Sequence, residues 1–147
     1  MPVRKAEAVW HGSFKEGHGH MMFGEGAFEV DYSAGARFEE DPGGNPEQLL
    51  GAAHAGCFSM ALASGLSKAG FPPNSVQTTA QVHIEKVEAG WTVTRIHLTT
   101  EVEAPGIENS AFLELADKAK QNCPISRALG NVEISLEARL ARERGTS

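Results

Sequence analysis

Two cysteines, Cys57 and Cys123, are the only thiols in the chain. Cys57 closes a run of small residues at 52–57, with the sequence AAHAGC, and Cys123 is followed directly by Pro124. A thiolate attacks peroxides and disulfides, and a second thiol can then close a disulfide with the oxidised first one. The pair therefore predicts an attacking thiol and a resolving thiol.

The surroundings of Cys57 leave more than one interpretation open. His54 lies three residues earlier, on the same face of a helix, where it could lower the thiol pKa or act as the base of a nucleophile–base pair. A free cysteine is also commonly a small buried residue, and a histidine in an apolar helix is commonly a hydrogen-bonded core residue. The core interpretation is favoured for His54 and stays open for Cys57.

Cys123 is expected to end a helix at Asn122, because the residue before a proline is biased away from the helical conformation. It is also placed to cap a short turn that begins at Pro124, whose free backbone amides would favour a thiolate. A plain helix terminus without chemistry is the alternative.

Arg37 and Glu47 are the candidate charges for a reactive thiol. A guanidinium stays cationic and favours a nearby thiolate, and a carboxylate can hold that guanidinium through two hydrogen bonds. By position alone, Arg37 also fits a surface loop, and Glu47 fits an acidic residue at the start of a helix.

Metal and cofactor motifs are missing from the sequence. Six histidines and two cysteines are present, but neither Cys-x-x-Cys nor His-Glu-x-x-His occurs, and His18 and His20 are only two ligands around a glycine. The sequence also lacks a Gly-x-Ser-x-Gly elbow, a phosphate-binding loop and a dinucleotide fingerprint. Neither a metal nor a cofactor is expected.

The elements that must position these residues give an α+β fold. Alternation and turn residues predict strands at residues 3–11, 21–23, 27–32, 76–87, 91–103 and 132–140, with a bulge near Thr94 and Arg95. A loop is predicted at residues 17–20, a polar connection at residues 33–44, and a frayed tail at residues 142–147.

A long helix is predicted to start after Asn45, a good N-cap, with Pro46 in its first position and Gly70 as its C-cap. Few of its residues are charged, so it should be covered by its own sheet or by another chain. A second, amphipathic helix is predicted at residues 110–122, and its inward residues are Phe112, Leu113, Ala116 and Ala119.

Composition indicates one globular domain over residues 1–147, with 41% hydrophobic and 22% charged residues. The net charge of −6 and the lack of a basic stripe argue against nucleic acid as a partner. Neither a secretory signal nor a window of membrane-spanning length is visible, so no membrane partner is expected. A cytoplasmic location follows, where a transient disulfide is more plausible than a permanent one.

Two segments resemble the OsmC/Ohr family of thiol-dependent peroxidases. They are residues 45–61, NPEQLLGAAHAGCFSMA, and residues 118–126, KAKQNCPIS. Residues 10–12 and 37–39 resemble the OsmC branch more than the Ohr branch, and residues 105–107 also fit. The resemblance implies an OsmC-like fold, with antiparallel sheets wrapped around long central helices in an intertwined cytoplasmic homodimer.

The same resemblance implies an activity, the reduction of organic hydroperoxides to alcohols in oxidative or osmotic stress defence. It implies that Cys57 is the peroxidatic cysteine, that Cys123 is the resolving one, and that Arg37 and Glu47 activate Cys57. A dithiol or a lipoylated protein would reduce the resulting disulfide. His54 is not among the residues to which the family assigns a catalytic role.

An apolar site would favour organic hydroperoxides over hydrogen peroxide. Phe38, Met60 and Ile125 are expected to line it.

Helix geometry adds a prediction that does not depend on the family. Glu47 and Cys57 are ten positions apart, which is about 15 Å of rise on a continuous helix. A glutamate cannot bridge that distance, so either the helix breaks or Glu47 serves the Cys57 of a partner subunit. The scarcity of charge on the helix favours the second case, a site shared across a dimer.

Two other classes of function fit the same residues. One is a dimeric lipid- or acyl-binding module whose cysteines are incidental. The other is a hydrolase that uses Cys57 as nucleophile and His54 as base, in which Cys123 would be dispensable.

Overall fold

Ten secondary-structure elements follow one another in the computed structural model, which describes residues 2–141. They are β1 (Ala6–His11), β2 (His18–Phe23), β3 (Phe28–Tyr32), α1 (Ala34–Phe38), α2 (Pro46–Lys68), β4 (Ser75–Val87), β5 (Gly90–Glu103), α3 (Asn109–Asn122), α4 (Pro124–Ala128) and β6 (Glu133–Leu140). The predicted α+β class is confirmed. The tail predicted at residues 142–147 lies outside the described residues.

Contacts divide the chain between Leu49 and Leu50 into two compact units. The first unit contains a three-stranded antiparallel sheet in the order β1-β2-β3. The second contains a three-stranded sheet in the order β4-β5-β6 together with most of α2. A single domain over residues 1–147 stays a prediction.

In the first sheet, Gly19 allows two aromatic rings to meet. It pairs with Trp10 on β1 and with Tyr32 on β3, and the centroids of those two rings are 5.5 Å apart. A Cβ atom at Gly19 would lie 2.7 Å from the Trp10 ring and 2.6 Å from the Tyr32 ring. A side chain at this position would therefore force the rings apart.

Two predictions for the first unit are wrong. Residues 17–20 are not a loop, because β2 begins at His18, which pairs with His11, and continues through His20, which pairs with Asp31. Pairing with strands on both sides outweighs the turn preference of the two glycines. The connection at residues 33–44 contains helix α1, which the Ser33 hydroxyl caps by accepting the Ala36 amide at 3.1 Å.

Helix α2 starts as predicted. The Asn45 side chain accepts the Gln48 amide at 2.8 Å, Pro46 is the first helical residue, and Gly70 has the positive φ of a C-terminal glycine, +94°. The helix runs without interruption from Pro46 to Lys68.

Only one line of α2 residues is buried within the chain. It consists of Glu47, Gly51, His54, Phe58, Leu62 and Leu66, whereas the opposite side, including Ala52, Ala53, Gly56 and Met60, is exposed. The helix is therefore apolar on a side that residues 2–141 leave uncovered.

The expectation that no window reaches membrane-spanning length is wrong. Among the described residues, α2 is the one helix long and apolar enough to cross a membrane, with 23 residues and a mean hydropathy of 1.4 over 18 of them. Its alanines and the near absence of charge produce this value. Length and composition are weak grounds for a membrane span, since core helices of soluble proteins meet both criteria.

The second sheet confirms the predicted bulge and corrects the predicted strand direction. His83 pairs with Arg95 and Ile84 with Val93, so Thr94 is the extra residue. Strand β5 is antiparallel to β4 but parallel to β6. The expectation of purely antiparallel sheets is therefore wrong here, because the chain crosses over through α3 and α4 before β6 begins.

The hydrophobic core of the second unit lies between α2, α3 and the sheet. Its fully buried members are Phe58, Leu62, Leu66, Ile96, Leu98, Val102 and Phe112. Three residues of α3 face inward as predicted: Phe112, Ala116 and Ala119. The prediction that Leu113 faces inward is wrong, because its side chain is 44% exposed. Leu113 follows Phe112 by one residue, about 100° around the helix, and so turns away from the core.

Candidate functional site

The fold brings the two cysteines together. Cys57 lies in the middle of α2 and is half-buried, whereas Cys123 lies between α3 and α4 and is fully buried. Both are free thiols, and they lie close enough for each to shift the pKa of the other. This arrangement satisfies the first requirement for closing a disulfide, which is that the two sulfur atoms are neighbours.

Cys123 ends one helix and caps the next. Its backbone amide donates to the Ala119 carbonyl, and its sulfur accepts the Ser126 amide at 3.4 Å and the Ser126 hydroxyl at 3.5 Å. Burial raises the pKa of the Cys123 thiol, but the hydrogen bonds, chiefly those from Ser126, outweigh it and bring the pKa below its ordinary value. The predicted cap of a turn at Pro124 is confirmed.

Cys57 is shifted in the opposite direction. Burial raises the pKa of its thiol, the Ile125 backbone hydrogen bond lowers it, and the neighbouring Cys123 raises it further, with a net increase. The two residues named here, Ile125 and Cys123, belong to the same unit as Cys57. A raised pKa favours the thiol over the thiolate at Cys57.

His54 is a buried side chain that contacts the site through a serine. Its Nε2 atom lies 2.7 Å from the Ser126 hydroxyl oxygen, and its Nδ1 atom is buried without a hydrogen-bond partner in the described chain. Burial lowers the pKa of His54. The prediction that His54 is a buried core residue is confirmed. Only its Nε2 atom has a hydrogen-bond partner among the described residues.

Ser126 is the residue that the sequence analysis did not single out. It contacts both His54 and Cys123 and is itself buried. Its position three residues after the cap residue Cys123 is the available signal, since the amide at that position is the one that a cap side chain accepts.

Arg37 and Glu47 form a paired charge in the first unit. The Arg37 Nε atom donates to both carboxylate oxygens of Glu47, at 2.9 and 3.2 Å, and a terminal nitrogen lies 2.7 Å from Oε1. The guanidinium carbon lies 5.0 Å from the centroid of the Phe38 ring. The Glu47 side chain is 11% exposed and that of Arg37 38%, so the carboxylate is enclosed while the guanidinium keeps one open side.

A largely apolar cavity of about 300 Å³ lies beside Arg37. It is lined by Trp10, Phe14, Tyr32, Ser33, Ala34, Arg37 and Phe38. Of the residues expected to line an apolar site, Phe38 is therefore at a cavity, Met60 is 77% exposed, and Ile125 contacts Cys57 through its backbone amide.

One group of three possible metal ligands occurs among the described residues, His20, Glu29 and Asp31. The His20 Nδ1 atom lies 2.6 Å from Asp31 Oδ1 and 3.3 Å from Glu29 Oε1, so the carboxylates already pair with the histidine. The two acidic residues are exposed, as a surface cross-strand ion pair would be. The absence of a metal stays a prediction.

Comparison with known proteins places the chain in a family. The family model of the OsmC-like proteins matches residues 39–137. The chain is 46% identical to peroxiredoxin OsmC of Escherichia coli (strain K12) over 138 residues, which cover 93% of this chain and 96% of that protein. It is 31% identical to the organic hydroperoxide resistance protein OhrB of Bacillus subtilis (strain 168) over 121 residues, 81% of this chain and 88% of that one.

Solved structures agree with these matches. An organic hydroperoxide resistance protein from Elizabethkingia anophelis superposes with a TM-score of 0.77 at 26% identity, covering 95% of this chain and 99% of that one. The predicted OsmC-like fold is thereby confirmed. Since both the family model and two relatives match most of its length, the chain belongs to the OsmC family.

Proposed function

We propose that this chain is a thiol-dependent peroxidase that reduces organic hydroperoxides to alcohols. The observation that carries the proposal is the proximity of the Cys57 and Cys123 thiols, each of which shifts the pKa of the other. The relatives named as peroxiredoxin and as organic hydroperoxide resistance proteins support it.

The proposed reaction begins at Cys57, because Cys57 is partly exposed and Cys123 is buried. The Cys57 thiolate attacks one oxygen of the hydroperoxide, the O–O bond breaks, and the alkoxide leaves and takes up a proton as the alcohol. The sulfenic acid on Cys57 then condenses with Cys123, forming an S–S bond and releasing water. A dithiol, either small or carried by a lipoylated protein, returns both cysteines to thiols.

Arg37 is proposed to supply the positive charge that Cys57 needs, held in place by Glu47. The two-point ion pair supports this role, because a guanidinium with a fixed orientation can present its open side to a thiolate. The catalytic residues are thus Cys57, Cys123, Arg37 and Glu47.

The active site is proposed to be shared between two subunits of a homodimer. Helix α2 is continuous, so the alternative in which it breaks between Glu47 and Cys57 does not apply, and the two residues are separated by about 15 Å of rise. Two α2 helices packed antiparallel would bring each Glu47 beside the other's Cys57. The exposed side of α2, with Ala52, Ala53 and Gly56, supports close packing of this kind.

Organic hydroperoxides are the proposed substrates because the cavity beside Arg37 is lined mainly by aromatic and apolar side chains. An alkyl or aryl group would fill such a cavity and displace water from it. Hydrogen peroxide has no apolar group with which to gain that binding energy.

We propose a cytoplasmic protein of oxidative or osmotic stress defence that needs no cofactor and no metal and has neither nucleic acid nor membrane as a partner. The net charge of −6 supports the exclusion of nucleic acid.

Two alternative functions are less well supported. A hydrolase would need His54 to accept a proton from Cys57, but neither ring nitrogen is bonded to Cys57: Nε2 lies against Ser126, and Nδ1 has no partner in the described chain. A binding module with incidental cysteines gives no reason for two thiols to lie close together with their pKa values shifted in opposite directions.

The proposal is tested by stopped-flow oxidation of the reduced protein with cumene hydroperoxide and hydrogen peroxide side by side. We expect loss of both free thiols and a marked preference for the organic peroxide. Oxidation that leaves Cys123 as a free thiol, or no oxidation by either peroxide, would overturn it.

A further inference from the structure

A chain of hydrogen bonds leads from His54 to the sulfur of Cys123. The His54 Nε2 atom lies 2.7 Å from Ser126 Oγ, and the Ser126 hydroxyl donates to Cys123 Sγ at 3.5 Å. His54 and Cys123 are 0% exposed, and Ser126 is 8% exposed. None of the three side chains can exchange these bonds for bonds to bulk water without opening the structure.

The positions of the protons in this series of hydrogen bonds follow from His54 Nδ1, which has no hydrogen-bond partner in the described chain. Ser126 has a single hydroxyl proton, which it gives either to Cys123 or to His54. If Ser126 donated to His54 Nε2, the histidine proton would be on Nδ1, and a buried N–H group would have no acceptor in the described chain. With the proton on Nε2, Nδ1 is only an unfilled acceptor, which is the more tolerable defect.

We propose that His54 and Ser126 are positioning residues for the resolving step: neutral His54 donates to Ser126, which aims the serine proton at Cys123. This inference rests on the proposed peroxidase function and extends it beyond the four catalytic residues. It explains why a polar ring is buried at position 54, where an aliphatic side chain would fill the same space without leaving an unbonded nitrogen.

The step that this arrangement serves is the closure of the disulfide. The Cys123 thiolate attacks the sulfur of the Cys57 sulfenic acid, the S–S bond forms, and the S–O bond breaks. The Cys123 sulfur is oxidised and the Cys57 sulfur is reduced by the same amount, and the departing hydroxide takes up the proton that the Cys123 thiol released. The sulfenic acid is the only oxidant required.

The Ser126 hydroxyl stabilises the Cys123 thiolate both before disulfide closure and during it. A hydrogen bond to a charged acceptor is stronger than one to a neutral group, so the Ser126 proton favours the thiolate over the thiol. The titratable group that faces Cys123 from α2 is Cys57, and the Ile125 amide faces it from α4. A test must therefore separate the effect of Ser126 from that of Cys57.

The first measurement does not depend on peroxidase activity. In the Cys57→Ala background, Cys123 is the only thiol, and its ionisation can be followed by thiolate absorbance as a function of pH. Adding Ser126→Ala or His54→Leu should shift the thiol–thiolate equilibrium about tenfold toward the thiol. A glutamine amide nitrogen reaches the position of Nε2 and an asparagine amide only that of Nδ1, so His54→Gln should restore the thiolate and His54→Asn should not.

The second measurement uses the otherwise unaltered protein and cumene hydroperoxide in a single turnover. In Ser126→Ala and His54→Leu, formation of the Cys57 sulfenic acid should keep its rate, while disulfide closure slows about tenfold. The matched controls are His97→Leu and Ser135→Ala, which break a second histidine–serine pair with the same 2.7 Å separation, between β5 and β6. Neither control should change either step.

The possible outcomes distinguish this inference from the proposed function. If no sulfenic acid forms in the unaltered protein, the peroxidase proposal fails and the ionisation measurement still decides the role of Ser126. If the Cys123 titration is the same with and without Ser126, the inference is overturned even though peroxide is consumed. If His54→Leu does not fold, Ser126→Ala and the glutamine–asparagine pair decide, and equal behaviour of that pair would overturn the role of His54.

Discussion

The thiols of Cys57 and Cys123, which are 66 positions apart in the sequence, lie close enough for each to shift the pKa of the other, and the two pKa values move in opposite directions. Burial raises the pKa of Cys57, and bonds from Ser126 outweigh burial to lower that of Cys123. These influences favour a thiolate at Cys123 more than at Cys57. If Cys57 is the attacking thiol, as we propose, its activation requires a charge that is not among them.

Serine substitutions at the two cysteines should separate their roles. We expect Cys57→Ser to abolish hydroperoxide consumption and Cys123→Ser to allow one oxidation per subunit, after which sulfenic acid accumulates because no thiol can condense with it. Trapping with a sulfenic-acid-specific reagent followed by mass spectrometry would locate the oxidised residue. Full turnover by Cys123→Ser would contradict the proposed intramolecular disulfide step, because the added thiol would then reduce the Cys57 sulfenic acid directly.

His54 should make stability depend on pH. Burial lowers its pKa, so the unfolded chain binds a proton near the ordinary value of about 6.5 whereas the folded chain binds it only at lower pH. The free energy of unfolding should therefore fall as pH drops below about 6.5 and stop falling below the folded-state pKa. Urea unfolding at fixed protein concentration should show this loss in the unaltered protein and a smaller one in His54→Gln; identical pH profiles would contradict it.

Local signals were sufficient for much of the fold. The capping residue Asn45, the proline after it and the terminal Gly70 predicted both ends of α2. The shift of the inward-facing side chains from odd to even positions in β5 predicted a bulge near Thr94 and Arg95. These features act within a few residues of chain. For that reason they can be predicted without knowledge of the tertiary structure.

Non-local contacts account for what could not be predicted. His18–His20 became a strand because two other strands pair with it, and β6 runs parallel to β5 because the chain crosses over before it. The link from His54 to Ser126 spans 72 positions, and no spacing rule reports a contact of that range. The roles of Arg37 and Glu47 remain predictions, although the ion pair between them fits those roles.

Two neighbouring residues on α3 should differ sharply in their contribution to stability. Phe112 is fully buried and Leu113 is 44% exposed. Phe112→Ala should lower the free energy of unfolding by about 3–5 kcal/mol, because it leaves a cavity in the core. Leu113→Ala should change it by less than about 0.5 kcal/mol, as expected for a surface position. Chemical denaturation measures both, and a cost at Leu113 as large as that at Phe112 would mean that another surface covers it.

Replacing Arg37 by lysine should impair Cys57 oxidation even though the charge is kept. An ammonium group cannot donate two parallel hydrogen bonds to Glu47, so its charge would no longer be held in one orientation. We expect the second-order rate constant for oxidation by cumene hydroperoxide to fall about 10- to 100-fold. Arg139→Lys is the matched control, because Arg139 also contacts one carboxylate, that of Glu101, through two nitrogens, but on an exposed part of the sheet. Equal effects of the two substitutions would contradict the proposed role of Arg37.

A subunit-mixing experiment should decide whether the active site is shared. Arg37→Ala chains retain Cys57 and Cys57→Ser chains retain Arg37, so neither homodimer is expected to consume hydroperoxide. In a mixed dimer with shared sites, the Cys57 of one chain meets the Arg37 of the other, and one complete site forms. Random mixing of equal amounts should then restore roughly a quarter of the unaltered activity.

If each site is built within one chain, no mixed dimer contains a complete site, and activity stays at the level of the separate variants. A mixture of Arg37→Ala and Glu47→Gln chains is the control for subunit exchange itself. Both substitutions damage the same ion pair, so every site in such a mixed dimer lacks one partner of it, and activity should stay low in either arrangement. Recovery in the first mixture but not in the second would place Arg37 and Cys57 of each working site on different subunits. The charge that the unit containing Cys57 does not supply would then come from the second copy of the chain.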